Sequence, residues 1–320
     1  MGRYIIRRIL QAIPLLFLLT IGMFGLIHLL PGGPEAVLFN PHLTAAGRAN
    51  LRASLGLDDP IPVQYIKWLT SALTGNFGSS FNTKEPVSVI IARRFPPTIE
   101  LFACALTLAL ILAILLGVIS AVRQGTLTDY TLTVISYFGI AMPVFLLGLF
   151  AQDIFGVGLR WLPTSGTATL GYTLSPFDAF IDHLQHLILP MLVLAVAFIA
   201  GWSRYMRSSM IEVVKQDYMR TARAKGVAPA TALIRHALRN AVIPLITIVA
   251  LDFGAIAGGA TITEGVFAWP GMGLLFIDSL DRRDYPVLLA MLMIGAVFVI
   301  AFNLIADILY AVMDPRIRYS

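Results

Sequence analysis

"IELFACALTLALILAILLGVISAV", residues 99–122, contains a single ionisable carboxylate, Glu100, and a single thiol, Cys104. As a helix rising 1.5 Å per residue, such a run exceeds the roughly 30 Å hydrocarbon core of a bilayer. In lipid the backbone has no water to bond, so the run must satisfy its amides internally as a helix. The composition agrees: of 320 residues, 58% are hydrophobic and 13% charged, too little charge to coat a soluble surface of this size. With Cys104 as the lone cysteine, neither a disulfide framework nor a cysteine metal cluster is available.

Working outward, five more segments have span length: Ile9–Leu30, Thr131–Gly158, Leu184–Ser203, Ala241–Thr263 and Pro286–Val312. Pro143 is expected to kink the third span, and Pro190 lies within the fourth. The first span follows Arg3, Arg7 and Arg8, as a signal peptide would, but no small-x-small cleavage site precedes Pro31, so it reads as retained. Gly2 is not followed by Ser or Thr at position six, where Ile6 stands, so myristoylation is not expected. The expected fold class is an all-α integral membrane protein of six transmembrane helices.

Charge orients it. With the amino terminus inside, segments 1–8, 123–130, 204–240 and 313–320 hold 14 of the 23 Lys and Arg. The two short outside loops hold only Arg160, Arg282 and Arg283. The positive-inside rule thus places both termini in the cytoplasm. Three regions follow: 1–30, the amino terminus and first span; 31–98, an extracytoplasmic cap; and 99–320, the core of spans two to six. The cap, containing "LTAAGRANLRASLGLDDPIPVQYIKWLTSALTGNFG", is expected to hold two or three short helices broken by Gly and Pro. It reads equally as a structured loop or as a docking surface.

Between spans four and five, about 204–240, lie eight Lys or Arg against Glu212 and Asp217. A helix is expected over 208–225, ended by Gly226, and a second from Pro229 to about Asn240. In the first, Tyr218, Thr221, Ala222 and Lys225 share a face, with Arg220 and Arg223 on a neighbouring one. Three readings fit the residues: a loop on anionic headgroups, a helix-turn-helix for DNA, or a protein-docking helix pair continuous with both spans. Short tethers to the bilayer disfavour nucleic acid.

Charges within spans are costly and mark functional positions by default. Asp252, central in the expected fifth span, is a candidate for the translocation path, against the alternative of a carboxylate hydrogen-bonded by a neighbouring helix. Asp153 and Gln152 in the third span are further path candidates with the same alternative. Asp307 is expected to pair with an inside Arg; His28 and Glu100 are expected at the interface. Gly254, Gly258 and Gly259 suit close helix packing, with a gate hinge as the other reading.

The chain resembles the permease subunits of ABC importers, specifically the dipeptide/oligopeptide (peptide/nickel) permease family. The resemblance is carried by "SSMIEVVKQDYMRTARAKGV…RHALRNAVIPLI", "YIIRRILQAIPLL", "LGLDDPIPVQY", "ITEGVFAWPGMG", "DRRDYPVLLA" and "NLIADILYAVMDPRIRY", covering essentially the whole sequence. Against the general EAA-type loop, Arg220 stands where Glu is usual and Arg239 where Pro is usual. Thr221 and Ala222 occupy the two Ala positions, and Gly226 keeps the Gly. A Glu-based contact with the ATPase is therefore not carried over.

The resemblance implies a bacterial inner-membrane subunit forming half of a path for di- or oligopeptides. Its implied partners are a homologous second permease, two ATP-binding subunits and an extracytoplasmic solute-binding protein. Tyr218, Arg220, Thr221, Ala222, Arg223, Lys225 and Gly226 would couple to the ATPases, and bulky changes at Ala222 or Gly226 are expected to uncouple ATP use from uptake. The "FAWPGM" stretch would fold over the outer pore mouth, with Phe267, Trp269, Pro270 and Met272 as outer gate candidates or, alternatively, an aromatic belt.

The chain is not expected to be an enzyme. Its lysines, Lys67, Lys84, Lys215 and Lys225, follow no Gly, so there is no phosphate-cradling GxxxxGK[ST] loop, and HExxH and GxSxG are absent. Cofactor, metal and catalytic sites are expected to be none, with ATP and magnesium held by the partner subunits. Nickel chelates or glutathione are alternative solutes. An ion-coupled secondary transporter using Asp252 is the alternative mechanism, weakened by the absence of internal repeats.

Overall fold

The computed structural model describes residues 2–29, 44, 46, 49, 52–53 and 56–313. Most of 30–55, with the first part of the expected cap, and the carboxy-terminal 314–320 lie outside the described residues. Among those described the fold is helical, with only an isolated bridge between Ser79 and Pro86. In order come α1 (Gly2–Leu29), α2 (Ile61–Leu73), α3 (Val87–Val122), α4 (Leu127–Ala141), α5 (Val144–Gly158) and α6 (Pro176–Val214). Then follow α7 (Asp217–Ala224), α8 (Pro229–Phe253), α9 (Thr261–Val266), α10 (Met272–Asp281) and α11 (Tyr285–Met313).

Five helices are long and apolar enough to cross a membrane: α1, α3, α6, α8 and α11; α4 with α5 makes a sixth if counted as one span. The expected kink at Pro143 is much sharper, a 102° bend between α4 and α5. The ring of Pro143 excludes Met142 from helical geometry, and Met142 accordingly sits at φ −77°, ψ 124°. Other boundaries also move. α3 begins at Val87 rather than Ile99, carrying Pro96 and Pro97 inside it. The fifth span ends at Phe253 rather than Thr263, giving way to a tight helical turn at Gly254–Gly258.

The centre of the molecule is the pairing of α3 with α6. Ala105, Ala109, Ala113 and Gly117 recur every fourth residue along α3, so they form one stripe, and all four are buried. A Cβ on Gly117 would lie 2.6 Å from the Cβ of Met206. Between helices in lipid there is little hydrophobic drive, and close backbone approach along small residues supplies the dispersion contacts instead. Leu187, Leu194, Trp202, Met206 and Met210 of α6 complete the cluster, joined by Ala237, Ala241 and Leu245 of α8.

α1 lies against α11, and Arg8 Nη2 meets Asp307 Oδ2 at 2.6 Å, the expected pairing of Asp307 with a basic residue of the amino terminus. At its other end Phe24 packs with Tyr65 and Trp68 of α2, and His28 Nδ1 bonds the carbonyl of Phe24.

Candidate functional site

The basic insert folds as a connector between two long helices. The helix expected over 208–225 is two pieces: α6 continues unbroken to Val214, and α7 starts at Asp217 after the turn at Lys215 and Gln216. The second expected helix is no separate element. It is the first part of α8, which runs from Pro229 to Phe253 and includes a wider π-helical stretch, Ala232–Leu238. Thus the connector joins a long helix on each side, through the turn at 215–216 and the break at Gly226.

Met219 explains how α7 is held. It is 1% exposed and sits in the main cluster with Met210, Ala232 and Ala237, while Tyr218, Arg220, Thr221 and Lys225 around it are exposed. Tyr218 Oη accepts a bond from Asn240 Nδ2 at 3.1 Å, a second tie to α8. Arg220 lies 3.7 Å from Asp217, a pair so solvated that it adds little. The helix ends at Gly226, φ +76°, where the Val227 amide bonds back to the Ala222 carbonyl at 3.2 Å. This is a Schellman closure, which needs a left-handed residue that glycine provides without strain. Ala222 is half-buried; the side chain of Arg223 lies outside what the structure describes.

A partly buried ion pair braces α6 just before the connector. Arg207 Nε and Nη2 reach Asp129 Oδ1 and Oδ2 at 2.7 and 2.9 Å. Asp129 also accepts from the Ser120 hydroxyl at 2.5 Å and the Gly125 amide at 3.0 Å. One carboxylate therefore ties the end of α3, the following turn, α4 and α6 together.

At the other end, the 254–284 segment is organised by Glu264, which is fully buried. Its carboxylate accepts from Thr98 Oγ1 at 2.8 Å and from the amides of Gly273 and Leu274 at 2.7 and 3.1 Å. Those amides open α10, where unpaired donors and the helix dipole favour an anion. Gly259, φ +74°, crosses Gly273 so closely that a Cβ on it would lie 2.2 Å from the Gly273 nitrogen. Of the outer gate candidates, Phe267, Trp269 and Met272 are at most 1% exposed and pack inside this chain. Trp269 Nε1 donates to the Pro97 carbonyl and the Phe267 carbonyl accepts from the Gly166 amide. These residues fix the segment from within, and Pro270 is half-buried beside them.

The path candidates are also placed differently. Asp252 stands at the end of α8 rather than its middle, and its Oδ2 accepts from Trp202 Nε1 at 2.7 Å. A neighbouring helix therefore holds this carboxylate, which is partly exposed. Gln152 donates to the carbonyls of Thr164 and Val266, tethering α5 to the loop after it and to the 254–284 segment, while Asp153 is exposed. Gly254 packs closely against Val299 of α11. Glu100 is bound at 2.7 Å by His183 Nε2. Among the described residues no group of His, Cys, Asp and Glu could hold a metal ion.

Residues 113–319 match the family described as the binding-protein-dependent transport system inner membrane component, and residues 1–102 match its N-terminal counterpart. This chain belongs to that family. Over its whole length it is 46% identical to the oligopeptide transport system permease protein AppB of Bacillus subtilis, also covered in full. It is 45% identical to a putative peptide permease protein of Brucella ovis and 40% identical to the glutathione transport system permease protein GsiC of Salmonella typhimurium, each matched end to end.

As such an inner membrane component the chain is a multi-pass integral membrane protein, and the resemblance drawn from its motifs holds. The sequence did not single out Met219, Asp129, Arg207 or Glu264. Met219 had a signal, an apolar residue among polar ones in the basic insert. The Asp129–Arg207 pair, 78 residues apart, had none.

Proposed function

We propose that this chain is one membrane half of an ATP-driven importer of di- or oligopeptides. In this reading it hydrolyses nothing itself, holds no cofactor, and is moved by separate ATPase subunits that bind ATP and magnesium. A homologous permease completes the path and an extracytoplasmic solute-binding protein delivers the peptide. Both termini and α7 face the cytoplasm, as the excess of Lys and Arg in those segments supports.

The observation that carries the reading is the connector. A two-turn helix anchored through Met219 stands between two spans and packs against both, presenting Tyr218, Arg220, Thr221 and Lys225 outward. ATP-dependent closure of a partner gripping that helix would tilt α6 and α8 together, converting binding into a switch between two arrangements of the path. Ala222, Arg223 and Gly226 belong to the same contact. The peptide assignment rests on the full-length likeness to AppB and the Brucella ovis peptide permease protein. Glutathione, itself a tripeptide, is the second reading, supported by the likeness to GsiC.

The test is uptake by proteoliposomes containing this chain with its partner subunits. Peptide should accumulate only with ATP and be blocked by vanadate. Uptake driven by an ion gradient without ATP would refute the reading. Saturation by glutathione, with oligopeptides ignored, would replace the substrate and keep the machinery.

A further inference from the structure

A groove of about 550 Å³ opens between α4 and the inner half of α6, lined by Thr133, Tyr137 and Ile140 from one helix and Arg204, Tyr205 and Ser208 from the other. The guanidinium of Arg204 lies over the Tyr137 ring, 4.4 Å from its centroid. Two arginines stand here with different fates. Arg207 is committed to Asp129, whereas Arg204 is exposed and forms no ion pair among the described residues. A planar cation parked on an aromatic face is oriented in advance, and guanidinium is the side chain best suited to phosphate.

Depth narrows the ligand. Arg204 directly follows the apolar stretch 184–203 of α6, so it sits where a span leaves the hydrocarbon. Tyr137 and Tyr205, both about half exposed or more, have the amphipathic character typical of that interface. Toward the bilayer the groove passes Ile140, 47% exposed, and the neighbouring α4 surface carries Val134 and Phe138, which are more exposed still. A cationic, hydroxyl-bearing mouth above an apolar wall matches an amphiphile with an anionic head.

We propose that this groove binds the phosphate of an anionic phospholipid of the cytoplasmic leaflet, held by Arg204 on its Tyr137 platform with Thr133 and Ser208 at the mouth. Seated there, the lipid wedges α4 against α6 immediately beside the Asp129–Arg207 brace, so leaflet composition would bias the position of the helix that leads to α7. The leaflet assignment rests on the orientation proposed above; the binding itself does not, and each has its own readout.

The experiment uses the complete transporter, assembled with its partner subunits. Phosphatidylglycerol, phosphatidylcholine or inorganic phosphate is added and retained adducts are counted by native mass spectrometry. Arg204→Gln should weaken phosphatidylglycerol retention about fivefold, the usual contribution of one interfacial cation. Arg282→Gln should leave it unchanged, and Arg204→Lys should keep most of it. Phosphatidylcholine should bind weakly throughout, and millimolar phosphate should not displace phosphatidylglycerol. If Arg204→Gln fails to assemble, Tyr137→Leu removes the platform without touching charge and should cost about twofold. Equal phosphatidylglycerol retention by wild type and these variants would overturn the proposal. So would displacement by free phosphate, or an Arg204→Gln variant with unchanged lipid but a raised KM for peptide, which would give the guanidinium to a solute carboxylate.

Discussion

Gly226 shows how one backbone angle can serve the connector. Its φ of +76° is one that L side chains adopt at a cost, yet no atom lies within 4 Å of where a Cβ would stand. Space is therefore no obstacle, and Gly226→Ala should carry only the left-handed penalty of about 1–2 kcal/mol. That penalty falls on the closure from the Val227 amide to the Ala222 carbonyl. Hydrogen exchange at Lys225 and Val227 should accelerate about fivefold or more in Gly226→Ala and much less in Gly226→Asn, since Asn tolerates this region. Equal protection in all three proteins would show that the closure does not depend on glycine. This residue was legible in the sequence because Gly followed two positions later by a non-helical entry to Pro229 is a known helix stop. Glu264 was not legible: in sequence it is one acid beside apolar residues, and its partners come from α3 and α10, which only folding assembles.

At the scale of elements, the Asp129–Arg207 brace is what lets α6 act as a stiff rod near the connector. Asp129 is nearly fully buried and Arg207 about one-third exposed. Removing one partner leaves the other uncompensated, but the exposure of Arg207 lowers the penalty to about 1–3 kcal/mol. Asp129→Asn and Arg207→Leu should each lower the unfolding temperature of the assembled transporter and reduce uptake severalfold. The reversal Asp129→Arg with Arg207→Asp should recover part of both. Absence of any coupling between the two sites in that cycle would remove the brace from the mechanism. Six apolar segments could be read directly because each must satisfy its backbone within lipid, whatever its neighbours. Their ends could not. Where α3 begins at Val87, where α8 stops at Phe253 and how far Pro143 turns the chain depend on contacts between elements, and periodicity within one element does not encode them.

Across the whole molecule, the interior and exterior features divide cleanly. The apolar side chains Phe267, Trp269 and Met272 are packed inside, and the Asp252 bond to Trp202 is part-buried. Most residues left outward on α7 are polar or charged, and Thr221 is among the clearest, exposed and with its hydroxyl bonded to its own helix through the Asp217 carbonyl. Because the Thr221 side chain faces outward, a bulky replacement there acts chiefly at a partner surface. The measurement is the number of peptides imported per ATP hydrolysed by the reconstituted transporter, wild type against Thr221→Trp, with membrane insertion checked in both. If α7 receives the motion of the ATPases, hydrolysis persists while peptides imported per ATP fall about tenfold or more, equivalent to about 1.4 kcal/mol of lost coupling. An unchanged ratio in Thr221→Trp would contradict the coupling role of α7.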